Sequence, residues 1–476
     1  MNEQPLLSRT LDLATEYLKS LPERRVGARD AVATLRARLG RPLPEQGLDP
    51  VQVIEDLARD VDGGLVASAG PRFFGFVIGG SLPAALAADW LASAWDQNAS
   101  LYVASPAAAV VEEVVASWLL ELFGLPATAS VGLVTGGQMA NFTGLAAARH
   151  AVLRRAGWDV EQDGLIGAPP IRVIVGAEVH VSVFSALRML GLGARRVTRV
   201  PADAQGRMRA DELRRVLQDS AGPTIVCAQA GNVNTGAFDP LEEISELAHA
   251  RGAWLHVDGA FGLWAAASPE LRHQVHGLAK ADSWAADAHK WLNVPYDSGL
   301  AIVADREVHR AALTARASYL VQASRSERDG FDWVPEASRR ARGFALYAAL
   351  RSLGRRGVTD LVERCARLAR YMARALATAP GVRILNDVVL NQVLVGFDTP
   401  AGVEGDAFTR AVVARVQQEG TCWLGGTRWQ DQEAVRISFS NWRTTEADID
   451  RSAAAILAAF RAETAGAPRP GRPELT

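Results

Sequence analysis

The chain has 476 residues, about half of them apolar and 22% charged, with a formal net charge of -2. That length exceeds one small domain and suffices for a large core, while the near-neutral balance argues against a nucleic-acid partner or an anionic membrane surface. Only three cysteines occur, Cys227, Cys365 and Cys422, with no Cys-x-x-Cys pair, so neither a disulfide framework nor structural zinc is expected and a reducing cytoplasm fits.

Residues 1–67 read as an amphipathic helical arm. Leu11, Leu13, Tyr17 and Leu18 fall near helical spacing, as do Val51, Val53, Ile54 and Leu57, with Arg41-Pro-Leu-Pro breaking the two. Glu3, Arg9, Asp12 and Glu16 interrupt any signal-peptide-like apolar run. Ala85 to Ala92 is apolar but carries Asp89, and reads as a buried helix rather than a membrane span. An arm of this size needs another surface, either the main domain or a second subunit.

Residues 68–340 alternate short β-branched runs with helical stretches. Strands are predicted at Gly132 to Thr135, Ile171 to Val175, Arg196 to Val200, Thr224 to Ala228, Ala253 to Val257, Ser283 to Ala285 and Gly299 to Val303. Helices are predicted at 138–155, 182–191, 210–219 and 240–251. Such alternation argues for an α/β domain with a mostly parallel sheet covered on both faces, whose ligands gather at the C-terminal ends of the strands. Residues 341–476 read as a small α+β domain. It has helices at 344–353, 358–377 and 445–463, strands at Val393 to Phe397 and Val435 to Phe439, and a disordered Pro-rich tail from Ala465.

Five strand-end segments carry the chemistry. Ala286-Asp-Ala-His-Lys-Trp sets His289 and Lys290 among apolar residues; a desolvated lysine is a usable amine nucleophile, although Lys290 could equally reach a surface carboxylate. In His256-Val-Asp-Gly-Ala-Phe, Asp258 ends an apolar strand, where a carboxylate is costly without a cationic partner, and Gly259 and Ala260 leave room for something flat. The plainer reading makes Asp258 a helix cap. In Thr135-Gly-Gly-Gln-Met-Ala-Asn, Gly136, Gly137 and Gln138 open a helix whose free N–H groups and dipole favour a phosphate. His180 ends another strand, as a stacking group for a planar ligand or as a packed or capping residue. Gly231-Asn-Val-Asn-Thr-Gly offers Asn232, Asn234 and Thr235 for hydrogen bonds to a ligand, or merely for the turn. One bound cofactor explains all five.

With these residues the chain resembles the group II amino-acid decarboxylases among the fold-type I pyridoxal-phosphate enzymes. Asp282-Ser-Trp-Ala-Ala-Asp-Ala-His-Lys-Trp is similar to the family's Asp-Ser-x-x-x-x-x-His-Lys-Trp, and His256-Val-Asp-Gly-Ala to its His-Val-Asp-Ala-Ala. Pro71-Arg-Phe-Phe-Gly-Phe and Ser105-Pro-Ala-Ala-Ala-Val-Val-Glu-Glu also look like family segments. The resemblance implies pyridoxal 5'-phosphate held by Lys290 as a Schiff base, with Asp258 at the pyridine nitrogen, His180 and Ala260 on the two ring faces, and Gly136, Gly137 and Gln138 at the phosphate. His289 would stand beside phosphate or substrate, and Asn232 or Thr235 at the ring hydroxyl or phosphate. Phe73, Trp95 and Arg436 would meet the substrate, and the enzyme would be a cytoplasmic homodimer with the site at its interface, the arm contributing. No metal is expected.

Two departures stand out. Gln138 replaces a small hydroxyl residue in the phosphate loop. Many family decarboxylases carry a reprotonating tyrosine on a loop that corresponds here to Val321 to Pro335, which holds Arg325, Arg328, Phe331 and Trp333 but no tyrosine; the nearest is Tyr319. The expected reaction is decarboxylation of an L-amino acid, aromatic by preference. The alternatives are oxidative deamination to an aldehyde, transamination, aldolase-type cleavage, and, from another class, a non-catalytic dimeric binding protein.

Overall fold

The computed structural model describes residues 3–218, 222–314 and 327–466. Helices α1 (Gln4–Ser20), α2 (Val32–Leu39), α3 (Pro50–Val61), α4 (Pro83–Trp95) and α5 (Pro106–Phe123) come first. Then follow β1 (Ser130–Val134), α6 (Gly137–Arg155), α7 (Val160–Asp163), β2 (Arg172–Gly176), α8 (Val181–Met189), β3 (Thr198–Val200), α9 (Ala210–Gln218) and β4 (Thr224–Gln229). Next are α10 (Leu241–His249), β5 (Trp254–Asp258), β6 (Ser283–Asp287), β7 (Gly299–Val303) and α11 (Arg306–Leu313). The chain continues through α12 (Gly343–Ala377), β8 (Val382–Ile384), β9 (Gln392–Phe397), α13 (Gly405–Glu419), β10 (Gly425–Trp429), β11 (Gln432–Ser438) and α14 (Glu446–Gly466).

Two units result, one drawn from Met1–Ile78, Tyr371–Ile384 and Val395–Thr476, the other from Gly79–Arg370 and Leu385–Leu394. The second unit holds a seven-stranded sheet in the order β1-β7-β6-β5-β4-β2-β3. Strand β7 runs antiparallel to β1 and β6, and the other pairs are parallel. All residues of β1, β4, β5, β6 and β7 are buried, which is why these strands read as continuous rather than alternating apolar runs. Helices α6 and α8 cover one sheet region through Leu145, Val152, Val183 and Leu187 against Val173, Val175, Ile225 and Trp254. Each such side chain contributes about 1.5–3 kcal/mol on burial.

A buried ion pair sits behind β1 in the same unit. Glu112 of α5 accepts from Arg339 Nη2 at 2.8 Å, with side chains 2% and 1% exposed. Removing one partner strands the other charge, so Arg339→Met should destabilise the protein by about 3–5 kcal/mol. Adding Glu112→Leu should restore much of that loss. Urea midpoints for the single and double variants check this; equal midpoints for wild type and Arg339→Met would refute it.

The first unit carries β8, β10, β11 and the Val395–Phe397 part of β9, with antiparallel β10/β11 and β8/β9 pairs. Asp49 caps α3 by accepting from Val51 N and Gln52 N, and Pro50 opens the helix without losing a bond.

The expected divisions at 67/68 and 340/341 are not where the units part. Residues 68–78 belong to the first unit, where Phe74 N donates to Trp423 O at 2.8 Å and Trp423 N to Arg72 O at 3.0 Å. The front of α12 belongs to the second unit, where Thr359 Oγ1 donates to Ala267 O and Arg370 pairs with Glu270. The two helices expected at 344–353 and 358–377 are one run, broken at Gly354 by φ 60° and ψ 179°. Most of the expected tail, from residue 467 onward, lies outside the described residues.

Candidate active site

Because β2, β4, β5 and β6 are parallel, their C-terminal ends share one edge of the second unit's sheet, and antiparallel β7 starts there. Register sets Gln229 beside Asp258, Asp258 beside Ala285, and Asp287 beside Gly299. Gly299 in turn pairs with Val134 at the end of β1. The loops with Gly136, His180, Asn232, Asp258 and Lys290 therefore converge, as expected for ligand binding in open α/β sheets.

Lys290 stands in the turn after β6. Its side chain is 20% exposed, and Nζ lies 2.7 Å from Asp287 Oδ2. This pairing is the carboxylate contact weighed for Lys290, with a partner, Asp287, that is itself buried and must be compensated. Gly79 presses on the Lys290 backbone so closely that a Cβ there would stand 1.8 Å from Lys290 O. His289 Nδ1 accepts from Ser298 N at 3.1 Å, so its proton is on Nε2, which faces Asp287 Oδ1 at 3.4 Å. Burial pushes the His289 imidazole below its usual range, opposed by Asp287. Tyr296 covers the His289 ring at 4.4 Å between centroids.

The cradle beside this group is backbone. Gly136 caps α6 without any side-chain hydrogen bond, leaving the first N–H groups of a 19-residue helix to another partner. A Cβ on Gly137 would come 2.7 Å from Asp287 Oδ2, and one on Gly136 3.0 Å from His289 Cε1. Gln138 contributes only its main chain here; its exposed side chain turns toward Met189 Sδ at 4.0 Å.

Asp258 is 5% exposed. It accepts from Ala260 N at 3.2 Å through Oδ1 and from Asn141 Nδ2 at 3.1 Å through Oδ2. The capping role weighed for it is present at Ala260, yet no lysine or arginine among the described residues forms an ion pair with it. His180 caps α8, its Nδ1 3.3 Å from Ser182 N and 2.7 Å from Ser182 Oγ, and its ring is half-buried. Ala260 is half-buried between Asp258 and the backbone of Asp287, whose N donates to Ala260 O.

The polar loop is largely self-directed. Asn232 Oδ1 accepts from Asn234 N and Thr235 N, and Thr235 Oγ1 donates to Gln205 O while accepting from Ala237 N. These bonds realise the turn-shaping alternative. Of the residues expected at the substrate, Trp95 belongs to this unit, half-exposed and packed edge-on against Phe344. Phe73 and Arg436 belong to the first unit. There Phe73 is 5% exposed and stacked on Trp423 at 4.9 Å, and burial lowers the Arg436 guanidinium below its usual range. Tyr319 and Arg325 lie outside the described residues; Arg328 is seated over the Trp333 ring at 4.6 Å. Asn141, Ser182 and Asp287 were missed as site residues. Asp287 had one signal, a carboxylate three positions before the lysine.

An uncapped helix start, a buried carboxylate without a cation among the described residues and a lysine just past a strand end fit a phosphorylated aromatic aldehyde. This arrangement defines a class, enzymes that carry such a cofactor at the strand ends of an α/β sheet. The pyridoxal-dependent decarboxylase conserved domain matches residues 33–398, and the chain belongs to that family. Pyridoxal phosphate is the cofactor, and amino-acid decarboxylation the reaction class. The chain is 26% identical to the aromatic-L-amino-acid decarboxylase of Bacillus atrophaeus over 449 residues, 92% of this chain and 91% of that protein. It is 30% identical to the L-2,4-diaminobutyrate decarboxylase of Rhizobium meliloti over 423 residues, 87% and 83% of the two. Its fold matches the crystal structure of Oryza sativa TDC with PLP and tryptamine at a TM-score of 0.90, with 23% identity, over 97% of this chain and 98% of that one. No helix among the described residues is long and apolar enough to cross a membrane.

Proposed function

We propose that the protein removes carbon dioxide from an L-amino acid to leave the amine, with Lys290 as the attachment point of the cofactor. The observation that carries the reading is Asp258, a buried carboxylate that accepts two hydrogen bonds and has no ion-pair partner among the described residues, one strand away from the lysine. Bound pyridoxal phosphate supplies an aldehyde for a primary amine and an aromatic ring that takes up the electrons left by departing carbon dioxide.

The chain's own residues do the rest. Lys290 Nζ supplies the amine, and Asp287 holds it at the strand end. Asp258 keeps a proton on the ring nitrogen. His180 covers one ring face and Ala260 the other. The N–H groups of Gly136, Gly137 and Gln138 take the phosphate. His289 Nε2–H serves as a donor at the phosphate or as a proton carrier at the substrate. Asn232 and Thr235 act by shaping their loop.

The Bacillus relative, an aromatic-L-amino-acid decarboxylase, and exposed Trp95 favour an aromatic or apolar substrate side chain. We assign Phe73 and Arg436 as further candidates, Arg436 for a carboxylate. We also infer a cytoplasmic homodimer. Support comes from three free, buried cysteines and from exposed Leu7, Leu11, Val53 and Leu57 on α1 and α3.

Incubation with a panel of L-amino acids, scoring carbon dioxide, amine and hydrogen peroxide together, tests the reading. Equal amounts of carbon dioxide and amine are expected from at least one amino acid. Aldehyde with ammonia and peroxide would move the protein to the oxidative deaminases. Cofactor uptake without carbon dioxide from any substrate would overturn the decarboxylase reading of this chain.

A further inference from the structure

Helix α6 does more than offer a cradle at its start. One turn further along, Asn141 is wholly buried; it touches Asp258 directly and reaches His180 through Ser182. Its Nδ2 lies 3.1 Å from Asp258 Oδ2 and 3.1 Å from Ser182 Oγ, while Oδ1 lies 2.8 Å from His256 Nε2. The amide can face only one way, because its oxygen cannot sit against the Asp258 carboxylate.

The rest of the network agrees on direction. Trp254 Nε1 can only donate, and it does so to Ser283 Oγ at 2.9 Å. Ser283 is then free to donate to His256 Nδ1 at 2.8 Å. Burial pushes the His256 imidazole down to about 4, so the ring is neutral with its proton on Nε2, aimed at Asn141 Oδ1. Ser182, having accepted from Asn141, donates to His180 Nδ1 at 2.7 Å, and Ser182 N points at the same nitrogen. Every donor from Trp254 to His180 thus runs in one sense. A Cβ on Gly144 would come 2.8 Å from His256 Cε1, so the glycine makes room for this histidine on α6.

We propose that Asn141 is a positioning residue that fixes the Asp258 carboxylate and the His180 tautomer together. It leaves Asp258 Oδ2 as an acceptor aimed by a single amide, and it commits His180 Nδ1 as an acceptor, with the imidazole proton on Nε2. The same helix thereby sets both the phosphate end and the nitrogen end of the cofactor. A fully satisfied buried network of this kind is stiff, and losing one member is costly.

The inference rests on the reading of Asp258 as the ring-nitrogen partner, and the test separates the two. Cofactor-free protein is titrated with pyridoxal phosphate and with an analogue carrying carbon in place of the ring nitrogen. Asn141→Leu should weaken binding of pyridoxal phosphate by about tenfold and leave the analogue within about twofold, because the analogue presents nothing to Asp258. Asn141→Asp keeps the size, replaces the donor with a second carboxyl group, and should erode the same preference, which covers a Leu variant that fails to fold. Equal weakening of both ligands, or of neither, overturns the inference and makes Asn141 merely structural. Asp258→Asn in the same titration reports on the underlying reading: if that variant keeps the preference for pyridoxal phosphate, the assignment of Asp258 fails as well.

Discussion

Lys290→Ala should leave a protein that releases pyridoxal phosphate on gel filtration, shows no visible absorbance band after reconstitution, and has lost at least about a thousandfold in kcat. Two effects are mixed in that substitution. One is the loss of the primary amine. The other is the loss of the cation beside Asp287, a carboxylate 1% exposed. A buried charge stripped of its partner costs about 3–5 kcal/mol, enough to blur the reading with partial unfolding. Lys290→Arg separates them, since the guanidinium can still pair with Asp287 but has no amine to offer the aldehyde. The expected result is a stable protein with the same chemical defect. A Lys290→Arg protein that keeps its colour and its carbon dioxide release would show that the attachment point lies elsewhere.

Much of the architecture was legible in the chain because its strands are buried on both faces. Thr224–Gln229 and Gly299–Val303 carry runs of β-branched and small apolar residues that surface segments rarely show, and glycine-containing loops punctuate them. The edge strands of the smaller sheet lack this signature. Val382–Ile384 is three residues long, and Gly425–Trp429 opens with two glycines and carries an arginine, so neither is read from composition. The unit boundary inside α12 was equally hidden, because it depends on which of its turns meet Ala267 and Glu270, 92 and 100 positions earlier in the chain.

The site divides along the same line. Gly136, His180, Asp258 and Lys290 were singled out because each closes or follows a strand, where a departure from an apolar run needs a reason. Asn141 and Ser182 carry no such mark. Their positions on α6 and α8 suit ordinary helix residues, and only bonds spanning 117, 115 and 41 positions reveal what they hold. Asp287 lay inside the most family-like motif of the chain. Its role shows only when its two oxygens are seen between Lys290 and the glycine cradle.

Asp258→Asn should lower kcat by about a hundred- to a thousandfold while the protein keeps its cofactor. The substitution is nearly isosteric, and the amide oxygen can still accept from Ala260 N or Asn141 Nδ2, so the fold around β5 should survive. What disappears is the negative charge. A neutral amide does not hold a proton on a pyridine nitrogen, and an unprotonated ring is a poor sink for the electrons that carbon dioxide leaves behind. Turnover should therefore fall much further than occupancy: at saturating pyridoxal phosphate Lys290 still anchors the more weakly held cofactor, the visible band persists, and carbon dioxide release slows. Lys290→Arg, by contrast, loses both. If the Asp258→Asn protein released carbon dioxide at the wild-type rate, the buried carboxylate would be no more than the cap of the following turn, and the electron sink would have to be tuned by another group at the strand ends.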